Sequence, residues 1–384
     1  MINPKVAALQ KSATLKITAQ TKKLVREGRD VVNFAAGEPD FDTPDFIKEA
    51  AHRAIDRGET KYTPSTGMPA LKEAIAEKLA KENSIPKEHQ QVIVTSGAKY
   101  ALYTALLTLL APNEEVIVPA PYWVSYPEMI KLAGGTMKPL PLTAERSFKI
   151  DPALLKQHLT PQSKVLILNY PSNPTGVTYS EDELREIAAI VRAHDSLFVL
   201  SDEIYEKLLY DGRTHTSFAA LPGMAERTLT VNGFSKAYAM TGWRVGYLAG
   251  PEKIIGAASN ILAHTTSCLC SISQHAALAA IQDTEWISKM QKILEQRRDL
   301  LFAGLKRYPK LSPCKPEGTF YLFCDIRETG IDSSTFAAQL LTQQLVSCIP
   351  AEPFGQEGYL RMSFATGEEQ IEKGIARIGA FLEK

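Results

Sequence analysis

The chain has 384 residues, more than one ordinary core accommodates, so length alone predicts two or so domains. A hydrophobic fraction of 45% and a charged fraction of 22% are those of an ordinary globular protein. The formal net charge of zero argues against nucleic-acid and membrane-surface partners, which need a positive field, but leaves room for a local cationic pocket.

The N-terminus, Met1 to Leu9, has no apolar signal core and no small-residue cleavage site, so a cytoplasmic protein is expected. No apolar run is long enough to span a bilayer. Residues 1–46 are expected to form an arm and part of a smaller domain. From there short apolar strands alternate with amphipathic helices. The strand candidates are Gln91–Thr95, Glu115–Pro119, Lys164–Asn169, Leu197–Ser201, Thr228–Asn232 and Arg244–Ala249. They are nearly continuous in Val, Ile and Leu, as strands buried on both faces are. Helices are predicted over Ala98–Leu110, Tyr126–Ala133 and Ser180–His194, the last opening on a capping box of Ser180 and Glu183. This βαβ alternation predicts an α/β fold with a mostly parallel sheet between helices, occupying residues 47–283. A long helix, roughly Asp283–Tyr308, leads into shorter strands at Gly318–Asp325 and Gly358–Phe364. Residues 284–384 therefore read as a smaller α+β domain.

In an open parallel sheet, ligands sit beyond the carboxyl ends of the strands. Ser96-Gly97-Ala98-Lys99 follows the first strand and opens a helix, so it is either a plain helix start or a cradle of free N–H groups for an anion. Trp123, in Pro121-Tyr122-Trp123, is either core or a platform for a planar ring. Asn173, between Pro171 and Pro174, is held in its loop, whether as a turn residue or as a ligand group. Asp202 directly after an apolar strand is either solvated or faces a cationic atom, and Tyr205 brings a phenolic donor nearby. Lys236, in Gly233-Phe234-Ser235-Lys236, is a surface lysine unless neighbouring cations depress its pKa and favour the neutral, nucleophilic amine. Arg244 could meet a phosphate. Arg361 within an apolar strand wants a planar anion, either an internal carboxylate or one from a ligand.

The five cysteines, Cys268, Cys270, Cys314, Cys324 and Cys348, have neither zinc nor redox-motif spacing and read as thiols in a reducing compartment. The seven histidines are scattered, so no metal is expected.

Taken in order, these residues, with Ala36-Gly37-Glu38-Pro39-Asp40-Phe41 and Lys61-Tyr62, resemble the class I pyridoxal-phosphate aminotransferases of fold type I, and within them the bacterial aspartate aminotransferase subgroup. The match runs from about Ser12 to the C-terminus. The resemblance implies pyridoxal 5'-phosphate as cofactor and a ping-pong exchange of L-aspartate and 2-oxoglutarate for oxaloacetate and L-glutamate. By the same resemblance Lys236 is the cofactor tether and catalytic base, and Asp202 the carboxylate that keeps the pyridine nitrogen protonated. Asn173 and Tyr205 bond the ring oxygen and Trp123 stacks. Gly97, Ala98, Ser235 and Arg244 form the phosphate cup. Tyr62 reaches the phosphate of the neighbouring subunit, implying a homodimer. Gly37 and Arg361 take the substrate's α-carboxylate, with Trp123 and Asn173 beside it, and Lys99 takes the distal one.

There are departures. The arginine with which another subgroup reads the distal carboxylate has no counterpart in His264-Thr265-Thr266-Ser267-Cys268-Leu269-Cys270, and Gly233 stands where some relatives carry a phosphate-binding serine. Gln10-Lys11-Ser12-Ala13-Thr14 is expected to close over the substrate. Alternative readings are prephenate, aromatic or kynurenine-type substrates on the same machinery, and a lyase or synthase of the same fold such as an aminocyclopropane-carboxylate synthase. A regulatory protein of this fold would carry a DNA-binding segment, which the sequence lacks.

Overall fold

The computed structural model describes residues 2, 4–7, 9, 13–283 and 285–383. Gln10, Lys11 and Ser12, expected to take part in closure over the substrate, lie outside the described residues.

In chain order the strands are β1 (Val32–Asn33), β2 (Val92–Ser96), β3 (Glu115–Ala120), β4 (Thr136–Pro141), β5 (Ser163–Asn169), β6 (Phe198–Asp202), β7 (Thr228–Gly233) and β8 (Val245–Ala249), followed by β9 (Ser312–Cys314), β10 (Tyr321–Asp325), β11 (Val346–Ser347), β12 (Ile349–Pro350) and β13 (Tyr359–Ser363). Seven of them form one sheet in the order β2-β8-β7-β6-β5-β3-β4. The pairs from β7 through β4 are parallel, and β8 runs antiparallel to both β2 and β7.

The apolar runs are continuous because both faces of this sheet are covered. Val116, Val118, Val165 and Ile167 pack on one side with Leu102, Leu106 and Leu262 from helices. Ile117, Leu166 and Leu168 pack on the other with Leu184, Ile187 and Val191 of the helix Glu181–Arg192. That helix starts as its sequence predicts: Ser180 Oγ accepts from Glu183 N, and Ser180 N donates to the Glu183 carboxylate. The edge strand β4 has no counterpart among the predicted strands. Its Pro139 and Pro141 weaken a strand reading, yet an edge tolerates proline because one row of its N–H groups needs no partner.

A second sheet, β12-β13-β10-β9, is antiparallel, and β1 pairs in parallel with β11. Phe34 N also donates to Ser347 O, so residues near the N-terminus join the C-terminal part of the chain. The long helix Glu285–Leu305 packs Leu294, Leu301 and Leu305 against Phe320, Leu322, Phe336 and Ile375. The strand expected from Gly318 starts only at Tyr321, because Thr319 adopts φ 66° and breaks the extended run.

Candidate active site

The carboxyl ends of the parallel strands converge with β10 and β13 on a cleft of about 520 Å³. Every predicted site residue except Gly97 and Tyr62 lines it. Gly97 stands directly behind the wall as the N-terminal cap of the helix Ala98–Leu109. Tyr62 lies away from the cleft on the surface, 91% exposed.

The register places Asn169 beside Asp202 across β5 and β6. Asp202 is buried, and burial pushes its carboxyl up to about 6 despite hydrogen bonds that favour the charged form. Those bonds come from the Tyr126 hydroxyl to Oδ2 at 2.7 Å and from the Ile204 N–H to Oδ1 at 3.4 Å. Asn169 fixes the neighbouring backbone: its Nδ2 donates to Asp202 O and its Oδ1 accepts from Asn173 N, at 3.1 and 2.9 Å.

Lys236 is half-buried and its Nζ donates to Gly37 O at 2.5 Å. Desolvation is the main cause that lowers its pKa to about 8; Arg361 and Arg244 lower it further, while Glu38 and Asp202 oppose them. Arg244 leaves the end of β8 that lies at the same sheet edge, in a left-handed backbone conformation of φ 56°. Its guanidinium donates to two carbonyls, Thr241 O at 2.9 Å and Ser96 O at 3.4 Å. The approach between these segments is close enough to require glycine. A Cβ on Gly97 would stand 2.3 Å from Arg244 Nη2, and one on Gly246 would stand 2.3 Å from Ala98 N. A Cβ on Gly233 would meet Val245 O at 2.8 Å, so a serine does not fit there without a backbone shift.

Arg361 is buried. Its Nη1 donates to Asn173 Oδ1 at 3.2 Å, its Nη2 donates to Ala35 O at 3.3 Å, and its Nε has no partner. A buried guanidinium with an unused donor suits a bidentate anion. Lys99 lies on the cleft wall with its ammonium 4.8 Å from the centre of the Trp123 ring; desolvation, then the charge of Arg244, lowers its pKa. The cleft thus gathers five cationic side chains, the exposed Lys22 together with Lys99, Lys236, Arg244 and Arg361, around the deeply buried carboxylate of Asp202.

Four contributors were not singled out from the sequence. Tyr126 holds Asp202, Asn169 ties two loops, Tyr321 meets both Tyr205 and Arg361, and Glu38 accepts from Thr241 at 2.6 Å. Asn169 and Tyr126 were findable, since the first ends a predicted strand at its carboxyl edge and the second opens the helix predicted after the strand Glu115–Pro119. A tyrosine inside the apolar strand β10 carries no such signal.

Behind Asp202, the side chains of Glu203, Glu206 and His215 form the one group among the described residues close enough together to hold a metal ion. Glu203 accepts from Ser201, Ser217 and His215, and Glu206 from Asn83 and Lys78. Protein donors already satisfy both carboxylates.

A profile of the family described as aminotransferase class I and II matches residues 29–378. The chain is 45% identical over 386 residues to an aspartate aminotransferase of Geobacillus stearothermophilus, covering 99% of this chain and 98% of that protein. It is 43% identical to an aspartate/prephenate aminotransferase of Cereibacter sphaeroides, covering 98% and 97% of the two chains. The solved structure of the aspartate aminotransferase of Thermus thermophilus with maleate superposes with a TM-score of 0.95 at 40% identity, covering 99% of each chain.

Proposed function

The chain belongs to the class I and II aminotransferases, and from that premise we propose that it transfers the amino group of L-aspartate to 2-oxoglutarate in two alternating half-reactions at the cleft around Lys236. Enzymes of this family use pyridoxal 5'-phosphate. The residues present suit that group: a glycine-lined turn at a helix N-terminus beside Arg244 for a phosphate, a buried carboxylate for a protonated ring nitrogen, and a lysine of lowered pKa for an aldehyde. When bound, the cofactor supplies an electron sink for the charge left on the substrate α-carbon.

The protein's own part follows from its side chains. Lys236 Nζ would tether the cofactor and, once displaced, would accept the proton that leaves the substrate α-carbon and give it back from the same side of the cleft. A pKa of about 8 leaves an appreciable fraction as free amine near neutral pH, as a base requires. Asp202 keeps the ring nitrogen protonated. Asn173 and Tyr205 bond the ring oxygen, and Trp123 stacks on the ring. The backbone at Gly97 and Ala98, with Ser235 and Arg244, holds the phosphate. Arg361 and Gly37 hold the α-carboxylate. Tyr62, so exposed on its own subunit, serves the site of a partner in a homodimer. We place the enzyme in the cytoplasm. We also divide the chain into residues 1–46 and 284–384, joined by the β1–β11 pairing, and a larger unit of residues 47–283 built on the seven-stranded sheet.

The observation that carries the choice of substrate is Lys99. Its ammonium lines the same cleft as Arg361, so two cations await a substrate with two carboxylates. Prephenate, also a dicarboxylic 2-oxo acid, is a second acceptor consistent with this pair and with the names of several relatives. The test is spectroscopic and kinetic. The purified protein should show a visible cofactor band that shifts on adding aspartate, and should use aspartate far faster than alanine. Equal rates with the two amino acids would remove the role of Lys99.

A further inference from the structure

We propose that Tyr321 is a positioning residue that couples the substrate fork of Arg361 to the phenol of Tyr205. The inference deepens the aminotransferase reading above and rests on it. Arg361 of β13 stands opposite Phe323 of β10, so Tyr321, two residues earlier, is its diagonal neighbour on the same face. The guanidinium carbon lies 4.2 Å from the centre of the Tyr321 ring and 5.4 Å from that of Phe354. Among the described residues no carboxylate pairs with Arg361; its hydrogen bonds go to one amide oxygen and one carbonyl. The plane of the fork is therefore set largely by the aromatic faces around it, which attract a cation without neutralising it. An internal carboxylate would hold the fork as firmly but would compete with the substrate for it.

The other end of Tyr321 meets the second partner. Its hydroxyl is 3.3 Å from that of Tyr205, and both side chains are buried. Two phenols share one hydrogen bond, and one proton is left over. Either hydroxyl can donate in this pair; a ligand oxygen in the cleft that accepts from Tyr205 selects the arrangement in which Tyr321 donates to Tyr205. Tyr321 thus fixes two things with one side chain: its ring orients the cation that receives the substrate carboxylate, and its hydroxyl directs the proton of Tyr205. Burial raises the pKa of both phenols, which keeps both protons in place at working pH.

Two variants of the holoenzyme separate the two roles. Tyr321→Phe keeps the ring and removes the hydroxyl. It should leave the KM for aspartate and the Kd for maleate within about twofold of wild type, while moving the pH midpoint of the cofactor absorbance band by about half a unit or more. Tyr321→Leu removes the ring face and should raise both constants about tenfold, with a smaller change in kcat, an effect that phenylalanine rescues. If Tyr321→Leu does not load cofactor, Tyr321→Met keeps the bulk without the π face and serves the same comparison. Wild-type affinity for maleate in a folded, cofactor-loaded leucine or methionine variant would overturn the role of the ring. An unmoved midpoint in the phenylalanine variant would overturn that of the hydroxyl. Failure of the underlying reading looks different: the wild-type protein would show no aspartate-responsive band at all.

Discussion

The hydroxyl of Tyr126 donates to Oδ2 of Asp202 at 2.7 Å, with the tyrosine 1% and the aspartate 3% exposed. A neutral donor thus steadies a carboxylate that burial alone would drive toward protonation. Tyr126→Phe should raise the pKa of Asp202 above about 6 and weaken cofactor binding about tenfold, as loss of one hydrogen bond to a buried charge does. Titration of the cofactor-free protein with pyridoxal phosphate at pH 7.5 measures this; an unchanged Kd would remove Tyr126 from the site.

Asp202 also predicts a pH dependence of the cofactor-free protein. Its folded pKa, about 6, lies above the ordinary value of 3.8, so the folded state binds the proton more tightly than the unfolded one. The stabilising contribution is complete below about pH 4 and is lost as pH rises through about 6, a change on the order of 3 kcal/mol. Asp202→Asn should flatten that part of the Tm-versus-pH curve, read by calorimetry without cofactor.

For Lys236 the sign is the reverse in consequence. Only the deprotonated amine attacks a carbonyl, so cofactor loading should accelerate with pH and reach half its maximum near pH 8. Stopped-flow absorbance follows it. Lys236→Arg keeps the charge but should lose transamination by several orders of magnitude, about 10⁴-fold or more; near wild-type turnover would disprove the assignment.

Replacing Lys99 by Gln should lower kcat/KM for aspartate about 100-fold, the scale expected when a buried carboxylate loses its cation, and leave alanine unchanged. Parallel steady-state assays with the two substrates give the ratio.

Gly97→Ala tests the cradle. The residue has φ 78° and its new Cβ would lie 2.3 Å from Arg244 Nη2, so the arginine must move. Affinity for pyridoxal phosphate should fall about tenfold or more, and the strained backbone should also lower the Tm of the cofactor-free protein, so affinity is compared at a temperature where both proteins are folded.

The large sheet was legible because strands covered on both faces must be apolar throughout, and six of its seven members announce themselves that way. The strand β4 did not, since its prolines and half-exposed side chains reflect an edge position that only the assembled sheet defines. The same holds within the site. Residues that leave strand ends, such as Asp202, Asn173 and Lys236, stand where topology puts ligands, so their chemistry could be read in order. Tyr321 could not, because an aromatic residue inside an apolar strand looks like core until its neighbours Arg361 and Tyr205, 40 and 116 positions away, are brought to it.

The reversed strand β8 has a consequence for how such an enzyme can change. Because it runs against its neighbours, the segment between β7 and β8 leaves the catalytic edge and returns to it, carrying Lys236 and Arg244 on one loop. An insertion or deletion in that loop would displace tether and anchor together. Arg361 comes from a different sheet and Lys99 from the first turn of the helix that follows β2. New substrates can therefore be explored by mutation at Lys99, outside that loop, while tether and anchor stay in place, which makes the distal end of the substrate site the plastic part of this scaffold and the loop its inheritance.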